Sequence, residues 1–503
     1  MQENHPPYGP EYRMSAVSCI QAPRLAGLSA VEAARITMQF QRSVIIRYFA
    51  LKSLFFLQLG ARRLTKSALL PAVLVVASIT FVSCGGSGVP ITTPPSKDTT
   101  RVLASQTVSS PTAAAGLVLV DGEIDTLGRG GISAGNAPGL MAISPDRSTV
   151  LAFDSSSNKV YVTNTKTEAS TGSVQLPGPT SSLAIPVDGS GYAAVPAAPL
   201  TGQTMGAVVA MNLTSGGVLA TIGVPNAQTV VSNPAGTQLL VFSNDSDAVT
   251  IVSPFLLNTG SPVTVTVPGF DRPVNAVYSS DGSTAYILNC GAQCGGTQAS
   301  VQILNFSTTP PTPGAVVPVN GATVAFLSGS TLYVAGLGTP TGPLCASIPN
   351  AAPTAATYCG FLDIVNLTTM QDPNYNNPAA EIAITDGYHN RIDMSSNGQL
   401  FVGSYGCTNV GNVNAPLGTV QAEIRGCLAI YNTTNGAVVI PPDNGDVTGL
   451  QSFSTRYVEY VAEGGNLRVY DTTIDSLLLN SYIETGTIEI TGQVIDVKAI
   501  DFF

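Results

Sequence analysis

Ser144-Pro145-Asp146-Arg147 opens a unit that recurs through most of the chain. Two short runs rich in apolar residues follow it, Thr149–Phe153 and Val160–Asn164. Related tight turns return at five further places, namely 187–190, 233–236, 280–283, 328–330 and 396–398. Short apolar runs between tight turns at such a spacing indicate an array of small antiparallel sheets.

The tight turns are one recurring mark of the unit. A second mark stands at the end of many of the apolar runs, where Asn or Asp is followed within two residues by Thr or Ser. It occurs at Asn212, Asn305, Asn366, Asn432 and Asp471. An Asn or Asp side chain at such a position supports a turn by accepting hydrogen bonds from the backbone that follows. We interpret the two marks as the two opposite ends of one short antiparallel unit.

The composition favours a protein built from strands. The 503 residues are 44% hydrophobic and only 10% charged, with 50 Gly, 35 Pro and no Trp. Abundant turn formers and few charged helix formers indicate an all-β chain. After Cys84 there are 12 basic and 28 acidic residues, a net charge of −16. Such a surface lacks the cations that bind nucleic-acid phosphates, so we expect no nucleic-acid partner.

Seven units of this kind start near residues 138, 179, 227, 272, 322, 389 and 447. Each contains three or four short strands, which predicts a β-propeller of four-stranded antiparallel blades. Residues 115–136 read as two further strands and Val494–Ile500 as one more. Pairing between these two ends would close the ring and remove the exposed sheet edges. We favour seven blades, with an eighth, composite blade as the alternative.

The repeat resembles that of the YVTN-family β-propellers of exported and surface-layer proteins. The resemblance rests on Ser144–Arg147, Asn158 and Val160–Asn164 in the first unit and on their counterparts down to Asp475. Another propeller family with the same turn, such as the lactonase-like group, is the alternative. Both resemblances imply the same fold.

The N-terminal region has the features of an export signal. Residues 61–84 contain three cations, an apolar run from Ala68 to Val82, and Cys84. This order is typical of a secretory signal peptide. The end of the segment resembles a bacterial lipobox, which implies cleavage before Cys84 and lipidation of that residue. An ordinary signal peptide is the alternative. Gly85 after the cysteine implies an outer-membrane or cell-surface lipoprotein of the cell envelope.

The domain organisation follows from this signal. Residues 85–114 are rich in Gly, Ser, Pro and Thr, which predicts a tether. Residues 115–503 then form the propeller, which we expect to be a monomer. Residues 1–60 precede the signal, and we interpret them as an extension outside the domain that reflects a misassigned translation start. A real cytoplasmic extension with a membrane-dipping helix at 43–59 is the alternative.

Six cysteines lie in the propeller region, an even number that indicates disulfides in an exported chain. Sequence order and loop placement favour the pairs Cys290–Cys294, Cys345–Cys359 and Cys407–Cys427. A zinc site at Cys290 and Cys294 is the alternative, but a second close Cys or His pair is missing. We therefore predict no metal and no cofactor.

All three cysteine pairs fall in predicted loops between the second and third strands of units four to six. Those loops are long, and unit two carries a similar insertion at 196–206. Insertions on one face of a repeat array are typical of its binding face. This placement favours a non-catalytic binding or scaffold module whose partner is a protein or a glycan at the cell envelope.

Catalytic residues are scarce, which leaves enzyme activity uncertain and weighs against it. His389 is the only His after the signal region, and it lies close in sequence to Arg391 and Asp393. These three residues could bind an anion or supply acid–base chemistry in the central channel. More often, such residues in a first strand satisfy one another structurally. The alternative function is therefore an exported hydrolase or lyase of the lactonase type.

Overall fold

A computed structural model describes residues 96, 98–108, 115–186, 189–200, 204–253, 263–338, 360–407, 410–411, 424–425, 427–441, 445–473 and 484–501. The predicted extension 1–60, the signal segment 61–84 with Cys84, and the pair Cys345 and Cys359 lie outside these residues. The compact unit described below falls within Ile91–Phe503.

The described chain contains 34 strands, which form eight four-stranded antiparallel sheets and one small hairpin. We number the blades from the start of the repeat. Blade 1 contains β4 (Pro138–Ile143), β5 (Thr149–Asp154), β6 (Lys159–Asn164) and β7 (Ala169–Gln175), and blade 2 contains β8 (Ser182–Ala184), β9 (Ser190–Val195), β10 (Ala207–Asn212) and β11 (Gly217–Gly223). Blade 3 contains β12 (Ala227–Ser232), β13 (Leu239–Ser243), β14 (Ala248–Ser253) and β15 (Val263–Pro268), and blade 4 contains β16 (Pro273–Tyr278), β17 (Thr284–Asn289), β18 (Ser300–Asn305) and β19 (Thr312–Pro318).

Blades 5 to 7 follow in the same order. Blade 5 contains β20 (Val324–Ser328), β21 (Thr331–Leu337), β22 (Gly360–Asn366) and β23 (Ile382–Ile384). Blade 6 contains β24 (Tyr388–Met394), β25 (Gln399–Tyr405), β28 (Leu428–Asn432) and β29 (Val438–Val439), and blade 7 contains β30 (Val447–Ser452), β31 (Val458–Glu463), β32 (Asn466–Asp471) and β33 (Glu484–Ile488). The small hairpin is β26 (Val410–Gly411) with β27 (Ile424–Arg425), and a 3₁₀ turn spans Gly291–Cys294. The seven predicted unit starts coincide with blades 1 to 7.

The ring has eight blades, so the seven-blade preference was wrong and the eight-blade alternative is confirmed. Blade 8 joins the two chain ends: β34 (Gln493–Ala499) pairs with β1 (Arg101–Thr107), followed outward by β2 (Gly116–Asp121) and β3 (Thr126–Ile132). The N-terminal side contributes three strands rather than the two predicted. These three strands and β34 together form a complete four-stranded blade, which brings the number of blades from seven to eight.

Strand β1 lies within the segment 85–114 that was predicted to be a tether. Its residues Val102, Leu103 and Ala104 are completely buried. They pair with β2 on one side and with β34 on the other. The propeller therefore includes β1 from Arg101 onward, and the predicted boundary at residue 115 falls inside blade 8.

The hydrophobic core consists of eight separate clusters in the described chain, one between each pair of neighbouring blades. Val, Leu, Ile and Ala dominate them, as in the cluster of blades 1 and 2, which contains Leu151, Val162, Ala193 and Val209. Blade 8 takes part in two clusters, through Ala104 against blade 7 and through Leu119 against blade 1. Each blade buries both of its faces in this way, so a single blade has no core of its own.

The innermost strands β4, β8, β12, β16, β20, β24, β30 and β34 lie side by side around a central channel. The hairpins between first and second strands and between third and fourth strands share one side of the ring, the turn face. The second-to-third loops and the blade-to-blade connections share the other side, the cysteine-loop face. Both sequence marks thus lie on the turn face. Their assignment to opposite ends of a unit was wrong, because two antiparallel hairpins one strand apart open in the same direction.

Candidate functional site

His389 lies in the contact between blades 5 and 6 and is completely buried. Its Nε2 atom is 2.8 Å from the carbonyl oxygen of Thr385, and Gly360 packs against the ring, where a Cβ would lie only 2.5 Å from Cε1. Burial lowers the pKa of the imidazole to about 4, although the hydrogen bond to Thr385 opposes the change. His389 is therefore neutral at physiological pH.

Arg391 and Asp393 face the opposite neighbour, blade 7. Arg391 Nε donates to the carbonyl oxygen of Thr448 at 2.6 Å, and Asp393 Oδ2 accepts the backbone N–H of Ser452 at 2.8 Å. A β-bulge between His389 and Arg391 shifts the register and places them on different sides of β24. The structure therefore does not bring the three predicted residues into one site.

Asp393 has a buried neighbour that the sequence did not reveal, Glu459 on β31. Burial, followed by the nearby Asp393 carboxylate, raises the pKa of Glu459 well above its usual value. A protonated Glu459 can donate to Asp393, whose two oxygens also accept the backbone N–H groups of Met394 and Ser452. This carboxyl pair links blades 6 and 7; Glu459 is completely buried, whereas Asp393 is only half-buried.

The disulfide Cys290–Cys294 closes the second-to-third loop of blade 4, with a Cα–Cα distance of 5.6 Å. The loop is tied to the connection that enters the blade, because Cys290 N donates to Arg272 O at 2.9 Å and Gly291 N donates to Asp271 O at 3.2 Å. The Asp271 carboxylate in turn accepts the backbone N–H groups of Thr297 and Gln298, at 3.0 and 2.7 Å. The loop is therefore a fixed part of the cysteine-loop face.

Hydrogen bonds also fix the charge of Asp271. Burial raises its pKa, but the hydrogen bonds from Thr297 and Gln298 outweigh burial and lower the pKa below the usual value. Gly296 stands against this carboxylate, where a Cβ would lie 1.9 Å from Oδ1. Only glycine fits at that position without a shift of the loop.

The disulfide Cys407–Cys427 closes the corresponding loop of blade 6, with a Cα–Cα distance of 5.5 Å. The small hairpin β26–β27 lies between the two cysteines in sequence. Gly406 N donates to Asp446 Oδ1 at 2.8 Å, which ties this loop to the connection between blades 6 and 7. Two of the three predicted cysteine pairs are thus present, on the predicted face.

A cavity of about 340 Å³ opens on the cysteine-loop face, where the innermost strands β12, β16 and β24 begin. We call it the mouth cavity. Its wall includes Gln228, Phe242, Asn244, Asp245, Arg272 and Tyr388, together with Cys294 of the first disulfide. Tyr388 also packs on Tyr405, with ring centroids 5.2 Å apart, and Tyr405 is exposed. Sequence reasoning predicted this face but none of these lining residues apart from Cys294.

A second cavity of about 400 Å³ lies on the turn face between blades 1 and 2. The residues that line it include Ser144, Thr149 and Thr171, together with the apolar Val162 and Leu213. Within the described ranges, no group of three or more His, Cys, Asp or Glu side chains is placed to hold a metal ion. The same part of the chain contains no helix of the length and hydropathy needed to cross a membrane.

No protein-family model and no curated protein matches this chain. Among solved structures, it is similar to the dihydro-heme d1 dehydrogenase NirN in complex with DHE, with a TM-score of 0.54 and 12% identity over 82% of this chain and 78% of that one. It is also similar to a putative 6-phosphogluconolactonase from Bacteroides fragilis, with a TM-score of 0.45 and 12% identity over 81% of this chain and 100% of that one. A periplasmic gluconolactonase from Pseudomonas aeruginosa gives a TM-score of 0.42 and 13% identity over 80% of this chain and 99% of that one. At these identities the likeness concerns the propeller fold alone.

Proposed function

We propose that this protein is a non-catalytic binding module of the cell envelope whose cysteine-loop face holds a glycan. The observation that carries the proposal is the convergence of two disulfide-closed loops on the face that contains the mouth cavity. Loops that are rigid before binding lose less conformational entropy when a partner docks. The first of these disulfides also contributes Cys294 to the wall of the cavity.

The chemistry of this face favours a glycan over a protein. Seven of the nine exposed large apolar side chains in the described chain lie on fourth strands or on the turn face. The other two are Met205, in a second-to-third loop, and Tyr405, the last residue of the second strand β25. A protein interface has a core of apolar and aromatic anchors, whereas the residues that line the mouth cavity include more amide, hydroxyl and charged side chains than apolar and aromatic ones. Such a lining suits sugar hydroxyls and the apolar face of a sugar ring.

The proposed location rests on the N-terminal sequence. Lipidation of Cys84 would anchor the protein at the outer membrane or cell surface, and the segment up to Arg101 would hold the propeller away from the lipid. Membership of the YVTN family is part of the same proposal, because the recurring turn phrase supports it. A monomer suits this arrangement, since each ring closes on itself.

The test compares two exposed tyrosines on opposite faces. We expect Tyr405→Ser to weaken retention of the purified protein on isolated envelope polysaccharide by about tenfold, because a stacked aromatic contact is lost. Tyr457→Ser on the turn face is the matched control and should bind like the wild type. Equal retention of both variants would contradict the proposal, as would retention by envelope proteins alone. Turnover of lactones by the wild type would replace it with the lactonase alternative.

A further inference from the structure

The cavity between blades 1 and 2, which we call the turn-face cavity, has a carboxylate in its wall that can take a further partner. This carboxylate belongs to Asp146, which is exposed. Its Oδ1 atom accepts the hydroxyl groups of Ser144 and Ser148, at 2.6 and 2.9 Å, and the backbone N–H of Ser148 at 3.1 Å. No donor among the described residues reaches Oδ2. That oxygen therefore remains available to a donor group of a ligand.

Hydrogen bonds fix both the position and the charge of this carboxylate. The hydroxyl of Ser144, which donates to Asp146, itself accepts the backbone N–H of Thr149 at 3.0 Å. The hydroxyl groups around Asp146 lower its pKa below the usual value, so the side chain is ionised at physiological pH. Hydrogen bonds to an ionised acceptor are stronger than those to a neutral one. An acceptor that is already held in place also loses little entropy when a ligand binds.

The charge around the turn-face cavity excludes an anionic ligand. The described residues that line it include no Lys, Arg or His. Arg147 follows Asp146 directly, but its guanidinium donates to the carbonyl oxygen of Ala499 on blade 8. The Asp146 carboxylate would therefore repel a phosphate, a sulfate or a sugar acid. A ligand of this cavity carries no negative charge.

We propose that the turn-face cavity binds a neutral saccharide, so that the protein holds two glycans on opposite faces of the ring. The cavity of about 400 Å³ is within the size range of small-molecule sites. Sugar hydroxyls can donate to Asp146, and the wall combines further polar side chains with apolar ones, among them Asn164, Thr214, Ile185 and Leu213. The bridging of two glycans rests on the proposed function of the opposite face, whereas the turn-face site does not.

The repeat itself supplies a substitution that should spare the hairpin. In blade 6, Asn397 occupies the position of Asp146, and Ser395 Oγ donates to its Oδ1 atom at 2.7 Å. Asp146→Asn should therefore keep the hairpin while an amide nitrogen, which cannot accept a hydrogen bond, replaces the free oxygen. Asp281→Asn makes the same change in blade 4, where Ser279 Oγ donates to Asp281 Oδ1 at 2.6 Å. It is the matched control, since Asp281 does not line the turn-face cavity.

The experiment measures binding of neutral oligosaccharides of glucose, galactose, mannose and N-acetylglucosamine, and of glucuronate oligosaccharides, by calorimetry on the full chain. For the neutral sugar that binds, we expect Asp146→Asn to lose at least about tenfold in affinity and Asp281→Asn to bind like the wild type. Beads coated with envelope polysaccharide test the bridging. The wild type should clump them, whereas Asp146→Asn and Tyr405→Ser should each attach to single beads without clumping, because each retains one site.

The outcomes separate this inference from the proposed function. If Asp146→Asn and Asp281→Asn bind every neutral sugar alike, or if the wild type binds none, the inference is wrong. If Tyr405→Ser alone loses retention on envelope polysaccharide, the inference fails and the proposed function stands. If Asp146→Asn loses binding while Tyr405→Ser is retained like the wild type, the turn-face site stands and the proposed function fails. Tighter binding of glucuronate than of neutral sugars would overturn the ligand class.

Discussion

His389 is neutral because no water reaches the buried imidazole to stabilise a proton. The Thr385 carbonyl can only accept, so the hydrogen of the ring lies on Nε2. The backbone of His389 holds blade 5 as well, since Thr323 Oγ1 donates to its carbonyl oxygen at 2.7 Å. The residue therefore stabilises the contact between two blades, and it does so best when uncharged.

This arrangement predicts a specific dependence of stability on pH. The unfolded chain protonates His389 near pH 6.5, whereas the folded chain does so only near pH 4. Between these values the unfolded state binds more protons, so the free energy of unfolding falls as the pH falls, by about 3 kcal/mol for a shift of this size. We expect His389→Gln, which keeps a donor for Thr385, to remove this decline.

The measurement is urea denaturation of both proteins between pH 7.5 and pH 4. Other groups titrate in both chains alike, so the difference between the two curves isolates His389. If the free energy of unfolding depends on pH in the same way in the variant and the wild type, the imidazole is protonated in the folded state over this pH range.

The recurring turn phrase encodes one hydrogen-bonded hairpin. In blades 1, 4 and 6 the hydroxyls of Ser144, Ser279 and Ser395 donate to the side chain two residues later, at 2.6, 2.6 and 2.7 Å. Those hydroxyls lower the pKa of Asp146 and Asp281 below the usual value. The residue after the acid or amide has positive φ in all three hairpins. Serine and an acid or amide therefore recur because the hairpin uses their hydrogen bonds, and glycine follows in two of the three hairpins because it accepts positive φ readily.

Gly329 isolates the backbone part of this requirement. Its φ is 59°, and a Cβ added there would meet nothing within 4 Å. Gly329→Ala should lower the free energy of unfolding by about 1 kcal/mol through left-handed strain alone. Gly329→Asn should cost less, since asparagine accepts this conformation. Chemical denaturation of the two variants tests the order, and an equal or larger cost for asparagine would contradict it.

Local sequence patterns predicted most of the fold, but they did not predict how the candidate site residues are arranged. The starts of the seven units were predictable because the turn between the first and second strands of each unit lies within a few residues of both strands. Strand β1 was missed because its neighbour β34 lies almost 400 residues away in sequence and no turn links them. The separation of His389 from Arg391 depends on a bulge in β24, which a short polar stretch does not announce.

Blade 8 is the only blade in the described chain that combines both ends of the protein, and ion pairs concentrate around it. Arg101 at the start of β1 binds Asp501 through two nitrogens, at 2.7 and 2.8 Å, and Glu168 of blade 1 at 2.8 Å. Arg456 of blade 7 binds Asp125 of blade 8 at 2.7 Å. Hydrophobic contacts alone would let the closing strand fray, because no covalent hairpin joins it to its neighbour. These ion pairs hold blade 8 to blade 1 through Glu168 and to blade 7 through Arg456.

Removal of Arg101 tests this role in ring closure. Arg101→Ala leaves Glu168 and Asp501 without their cation, and the arginine and both carboxylates are largely buried. We expect a loss of about 2–4 kcal/mol in the free energy of unfolding, since a buried charge without its partner is costly. Lys166→Ala, at an exposed lysine on the hairpin that carries Glu168, should change stability little.

The site of the damage distinguishes closure from general destabilisation. Hydrogen exchange in Arg101→Ala should quicken first in β1 and β34, whereas β13 and β17 on the far side of the ring should keep their protection until global unfolding. The reason is that each blade contacts only its two neighbours, so loss of one contact opens the ring at that place before it loosens the rest. Uniformly faster exchange in all blades would mean that the ring unfolds as one cooperative unit and that Arg101 has no special part in its closure.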